Sequence, residues 1–461
     1  MNGQTVTWSA RVFVIEIVLF AFLSTFHGAA SGGLFYIDPI NGKASNDGTA
    51  EHPWRTLEQV AADGLIETQG YDNLPYTGDN PLVVKNPQGP VKAGDTLVLL
   101  SGYHGALELS GAINDTPIIV QATAGHTPTL SHISLVAACN WHFVGLTITP
   151  SAAATYEKQT LFNAASHSWH GPSSQITIED CQLYSVTDTS AWSADEWNAL
   201  ACNAIAMSGD QMTAQNNTCR NVNFGITING NLGVVAHNTV ENFAGDGMRG
   251  LGNDLLFEYN LVKNCYDVND NHDDGFQSWS INDDPPRERV TLRGNTIINF
   301  EDPNQPLWGP LQGIGCFDGP YVDWVVENNL VITDHWHGIS LYGAVDSRIV
   351  NNTVVDADPG NPGPPWVMFH DHKDGTPSSG CLIRNNIAAT VSVSGDTTAD
   401  HNYLIGSGGD IFVDPENYDY HLRDSATAVI DSGSSASAPD TDMDGTVRPQ
   451  GAGVDPGCYE R

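Results

Sequence analysis

Short β-type runs, apolar on alternate positions, follow one another along this chain, and Gly, Asn or polar loops separate them. Leu255-Leu256-Phe257-Glu258, Thr296-Ile297-Ile298 and Trp324-Val325-Val326-Glu327 are typical. Alternation over so few residues, closed by turn formers, predicts strands and not helices.

The runs belong to a repeat. The segments QNNTC, AHNTV, EYNLV, RGNTI, ENNLV, VNNTV, RNNIA and DHNYL align on Asn217, Asn238, Asn260, Asn295, Asn329, Asn352, Asn386 and Asn402, spaced 21, 22, 35, 34, 23, 34 and 16 residues apart. A base period near 22 with insertions is the signature of a solenoid. Each repeat reads as β run, Asn, apolar pair, polar loop and Gly-led strand: GITI, GMRG, GFQS, GIGC, GISL. Asn tolerates the left-handed turn conformation, and stacked Asn side chains can bond one another along the axis. The pattern resembles a right-handed parallel β-helix of the pectate-lyase-like superfamily, over about residues 34–424.

At the start, Tyr36-Ile37-Asp38-Pro39, Asn46-Asp47-Gly48-Thr49 and Pro53-Trp54-Arg55-Thr56-Leu57 resemble the entry module of secreted β-helix proteins. Thr56 is placed to cap a short helix over Leu57–Ala62 that covers the open end of the first coil. The predicted layout is an export signal over 1–30, a β-helix over 31–424 and a closing segment over 425–461. Arg11, the apolar stretch Val12–Phe26 and Gly28-Ala29-Ala30 carry the signal reading, and with it secretion. In the closing segment Asp440, Asp442 and Asp444 precede Gly445, a run that can wrap Ca2+ or form a plain turn.

Composition narrows the partners. Net charge is −36 with only 16% charged residues, which argues against nucleic acid as a partner. No segment after the signal is apolar enough to span a bilayer, and a capped coil is expected to be a monomer. The eight cysteines include no CxxC pair, so a zinc ribbon is not expected. Cys181, Cys219 and Cys265 hold similar places in their repeats and are expected to stack, as small buried thiols or, in an exported chain, as oxidised pairs.

Setting the Gly-led strands in register on Gly225, Gly247, Gly275, Gly313 and Gly338, with Trp366 next, sends Ile226, Met248, Phe276, Ile314, Ile339 and Val367 inward. Thr227, Arg249, Gln277, Gly315, Ser340 and Met368 then face outward, followed two places on by Leu251, Trp279, Phe317, Tyr342 and His370. Aromatic faces along a groove suit sugar rings. Just before the glycines stand Asp246, His272-Asp273-Asp274, Gln312 and His335-Trp336-His337. Three long insertions, about 266–274, 300–312 and 356–365, enter on the same side and predict the walls of a cleft. Asp371–Gly375 follows the last walled strand.

The first functional expectation is a polysaccharide lyase: β-elimination on a uronic-acid glycan, with His337, His335 or Lys373 as base and Tyr342 as proton donor. His272, Asp273 and Asp274 belong to the same catalytic group. Arg249, or Ca2+ held by Asp246, Asp273 and Asp274, would neutralise the substrate carboxylate, and Gln277, Trp279, Tyr342 and His370 would bind sugar. C5 epimerisation shares the first step. The second expectation is hydrolysis: Asp246-Gly247, Asp273-Asp274 and His337-Gly338 resemble polygalacturonase motifs, which implies inverting chemistry by paired carboxyls. The Gly313 coil interrupts that match, and no Arg-Ile-Lys motif stands near Met368-Phe369-His370. A non-catalytic glycan-binding β-helix is third.

Overall fold

The computed structural model describes residues 32–280, 284–358, 360, 362–406 and 411–461. The expected export segment lies outside these residues. Described residues from Gly32 onward form one compact unit. None of the described helices is long and apolar enough to cross a membrane.

The strands stack in parallel into a β-helix with three faces. One column runs Thr160–Ala165, Asn203–Ser208, Ile226–Asn229, Met248–Gly250, Asp274–Trp279, Gln312–Asp318, His337–Tyr342 and Trp366–His370. A second follows it around the coil, through Val234–Ala236, Leu256–Glu258, Thr291–Arg293, Val325–Glu327 and Arg348–Val350. The third is a separate 12-stranded sheet carrying Thr239–Phe243, Leu261–Cys265, Thr296–Ile298, Leu330–Thr333 and Thr353–Asp356. Ile226, Met248, Phe276, Ile314, Ile339 and Val367 are adjacent in register and buried, as expected. One detail differs: Trp366 pairs with His337, and an irregularity precedes the Ile339–Val367 pair.

The asparagines form a continuous ladder. Each Oδ1 accepts the main-chain N–H and the Nδ2 of the Asn one coil earlier, from Asn217 through to Asn402. The left-handed residue is not the ladder Asn but its predecessor: Asn216, His237, Tyr259, Gly294, Asn328, Asn351, Asn385 and His401 all have φ of 51–62°. The turn is made one residue early, and the Asn is kept for its amide.

Helix α1 (Leu57–Ala62) forms where expected, with Thr56 Oγ1 accepting the Gln59 N–H at 3.2 Å, and it places Leu57 and Val60 in the core. A second helix, α2 (Ala194–Leu200), was not expected from the repeat. Ser193 and Glu196 close a capping box, and its Trp197 stacks on Tyr266 at 4.7 Å, bracing the first cleft wall. The closing segment packs against the side of the coil. It runs back along the third sheet, where Ala426, Val429 and Cys458 join Ile298, Ile332 and Val355 in a second apolar cluster. Arg448 clips it there, donating to Glu460, Gly457 O and Asn328 Oδ1.

All eight cysteines are free thiols. Cys181, Cys219 and Cys265 do not form a stack: Cys219 pairs with Leu183 and Val240, and Cys265 with Phe243. Asp442 accepts the Asp444, Thr446 and Glu460 N–H groups, and Asp444 pairs with His421, so the DxDxDG run is a hydrogen-bonded turn.

Candidate functional site

The Gly-led strands are Gly-led because there is no room for a side chain. A Cβ on Gly225, Gly247, Gly275, Gly313 or Gly338 would fall 2.4–2.7 Å from Val240, Val262, Ile297, Val331 or Val354 on the third sheet. It would also fall 2.2–2.9 Å from the carbonyl oxygen of the next coil. This tight corner fixes the preceding residue, so Asp246, Asp274, Gln312 and His337 recur at one point of successive coils.

The carboxyl groups at that corner lie beneath the groove surface. Asp246, Asp273 and Asp274 are 3%, 6% and 0% exposed. Asp246 Oδ2 accepts from Arg249 Nε, and Oδ1 accepts the Asp274 N–H at 3.1 Å. Asp274 Oδ2 accepts from Gln277 Nε2 at 2.8 Å and lies 3.3 Å from His272 Nδ1. Its Oδ1 has no partner, nor has the neighbouring Gln312 Oε1. Both oxygens lie within 2.9 Å of the point a Gly315 Cβ would occupy. Asp273 is directed elsewhere, with Oδ2 3.5 Å from Cys265 Sγ.

Burial dominates their titration. It raises Asp273 to about 8, helped by the Asp246 charge. It raises Asp274 well above the usual range, against the pull of His272. It raises Asp246 as well, with Arg249 opposing. His272 moves up because it bonds Asp274. His335 and His337 are pulled down to about 4, first by burial and then by neighbouring imidazoles, so both are neutral at ordinary pH.

The groove surface itself is made of imidazole, ammonium and aromatic groups around one ring. Phe317 stands 6.5 Å from His272, 4.7 Å from His337 and 5.3 Å from Tyr342, with Lys373 Nζ 6.0 Å from its centroid. His335 stacks on His337 at 5.3 Å, and His370 on Tyr342 at 4.9 Å. His337 Nδ1 is 2.9 Å from Ser340 Oγ. The side chains of His272, Lys373 and Asp318 are 64%, 56% and 50% exposed, and Lys373 donates to Asp318 at 2.9 Å. His272, Gln277, Ser278, Trp279, Phe317, Asp318 and Lys373 line a pocket of about 260 Å³.

Most of the residues picked out from the sequence are thus neighbours: His272, His335, His337, Lys373, Gln277, Trp279, Tyr342 and His370 surround or adjoin the pocket. Arg249 is turned to Asp246 and lies 3.5 Å over the Phe224 ring, so its charge serves the floor. Sequence reasoning missed Asp318 and the packing role of Gly315. The glycine was the visible signal, as the one residue without a side chain in the column Arg249–Gln277–Gly315–Ser340–Met368.

Calcium ligation by Asp246, Asp273 and Asp274 does not match this geometry. Asp246 is committed to Arg249 and the Asp274 N–H, and Asp273 faces a thiol. No group of three or more His, Cys, Asp or Glu among the described residues is placed to hold a metal ion.

Comparison with protein-family profiles and with curated protein sequences gives no match. Solved structures do match. Pectate lyase Pel9A is 14% identical, with a TM-score of 0.50 over 94% of this chain and 98% of its own. The A-module of the Azotobacter vinelandii mannuronan C-5 epimerase AlgE6 is 12% identical (TM-score 0.46, covering 68% and 91%), and a rhamnogalacturonan lyase is 13% identical (0.45, covering 83% and 91%). At such identities the likeness is one of fold: the architecture shared with Pel9A is a parallel β-helix.

Proposed function

We propose that this chain is a carbohydrate-active enzyme that cleaves a uronic-acid polysaccharide by β-elimination in the groove. One observation carries the reading. Around Phe317 stand the His272 and neutral His337 imidazoles, the Tyr342 phenol and the Lys373 ammonium, which pairs with the exposed Asp318, while the buried Asp274 stands behind and holds His272.

A uronate carboxylate entering the pocket meets the His272 imidazolium and the Lys373 ammonium, which lowers the cost of removing the C5 proton. His337 accepts that proton at Nε2, the nitrogen not engaged with Ser340. The C5–H electrons form the C4=C5 double bond, the C4–O4 bond breaks, and Tyr342 protonates O4. Burial raises the Tyr342 phenol, so it holds its proton until the oxygen leaves. A substrate anion beside His337 also lifts that base from its low resting value. Trp279 and Phe317 offer faces to sugar rings, and a fold likeness to pectate lyase Pel9A accords with the reading. Ca2+ stays outside these steps. A polymeric substrate calls for export, which the N-terminal sequence is read as providing.

Hydrolysis by Asp246, Asp273 and Asp274 fits less well, because none of the three reaches the groove surface. The test is digestion of a uronic-acid glycan panel, following reducing ends and the ultraviolet absorbance of unsaturated uronyl ends, with Ca2+ and with chelator. Both signals should rise, and His337→Ala or Lys373→Ala should abolish both. Reducing ends without absorbance would replace this reading by hydrolysis.

A further inference from the structure

The pocket around Phe317 does not end at Asp318. A second pocket of about 730 Å³ opens beyond it, lined by Ser280, Asp318, Gly319, Pro320, Gly343, His372, Asp374 and Thr376. Asp318 belongs to both. The volume lies within the range of small-ligand sites, about 300–1,000 Å³, and it adjoins the place where the scissile sugar is proposed to sit.

The two pockets differ in charge. The first presents His272 and Lys373 to its contents, with Lys373 paired to the shared Asp318. The second adds Asp374, paired with His372, to the shared Asp318, and no lysine or arginine is among its described lining residues. Asp374 is firmly ionised: the Thr376 N–H and the nearby His372 ring hold its carboxyl down at about 2. Its side chain is 62% exposed. Ionised carboxylates are strong acceptors for hydroxyl groups and repel a second carboxylate.

We infer that the second pocket takes the sugar next to the uronate, and that this sugar is uncharged. The substrate is then a heteropolymer in which uronic acids alternate with neutral sugars, and not a homopolyuronate. This rests on the cleavage reading above and adds the substrate class.

The experiment compares kcat/KM on two polymers, a homopolyuronate and a glycan alternating hexuronate with a neutral sugar. Wild type and Asp374→Asn are measured, with Thr376→Val as a second variant that keeps the turn carboxylate. Wild type should favour the alternating polymer by at least about tenfold. Asp374→Asn should shrink that preference about threefold or more, through KM on the alternating polymer and with kcat retained. Equal or better turnover of the homopolyuronate overturns the inference. So does an unchanged preference in both variants when circular dichroism shows them folded. If no unsaturated product forms on either polymer, the β-elimination reading fails separately. Affinity electrophoresis on the same two polymers then decides the pocket: stronger retardation by the alternating one supports it, and equal or weaker retardation overturns it.

Discussion

Asp274 occupies the space that a side chain on Gly315, one coil further on, would need: a Cβ there would stand 2.0 Å from Asp274 Oδ1. The carboxyl that holds His272 is therefore seated in a notch made by a missing side chain. Gly315→Ala should push Asp274 away and with it His272 and Gln277. Overpacking of this kind costs about 1–3 kcal/mol, which a chain of this size survives. Turnover should fall at least about tenfold with the far-ultraviolet circular dichroism unchanged. Full activity in Gly315→Ala would separate Asp274 from function.

The pH profile follows from two imidazoles. His337, at about 4 in the free protein, sets the acid limb of kcat/KM near pH 4. His272 is raised by Asp274 and must be protonated, so activity is lost as pH climbs through its elevated pKa. Asp274→Asn removes the carboxyl that bonds the ring, and the imidazolium deprotonates sooner. The alkaline limb should move to lower pH while the acid limb stays. An alkaline limb that does not move would exclude His272 as its origin.

Asp273 makes a stability prediction of its own. Its folded pKa is raised from 3.8 to about 8 by burial. The folded state thus holds a proton that the unfolded chain releases, and stability declines as pH rises from about 4 to about 8. Asp273→Asn abolishes this dependence. The variant should melt above wild type at pH 8–9 by about 2 °C or more, with the difference closing near pH 4. Melting curves at the two pH values check it.

The ladder offers a fourth test. Asn329 is fully buried; it donates to Leu292 O and Asn352 Oδ1 and accepts from Asn295 N and Nδ2. Asn329→Ala strands these partners, each at about 1–3 kcal/mol, and should lower stability by about 3 kcal/mol or more. Asn402→Ala, at the ladder end, should cost less than half as much. Denaturant melts of the two variants read the difference.

The ladder was also the most legible feature of the sequence. Its residue type is dictated by three or four hydrogen bonds that only an amide of that length supplies, so it repeats. The Gly column was legible for the same kind of reason, since any Cβ there meets the third sheet. Helix α2 left a capping box in Ser193–Glu196 but no trace in the repeat, because an insertion obeys no period. The depth of Asp246, Asp273 and Asp274 was not legible either. Alternation places residues on a face, whereas burial depends on the loops and neighbouring coils that cover it. The same limit hid the direction of Asp273, whose Oδ2 lies by Cys265 Sγ.

The ladder has a consequence for how such a groove is remade. Consecutive rungs are joined by as few as 16 and as many as 35 residues, yet every rung bond keeps nearly the same length, 2.9–3.1 Å. Frame and walls are thus independently editable: loops can be traded between coils, or between proteins, without resetting the pitch that spaces the groove floor.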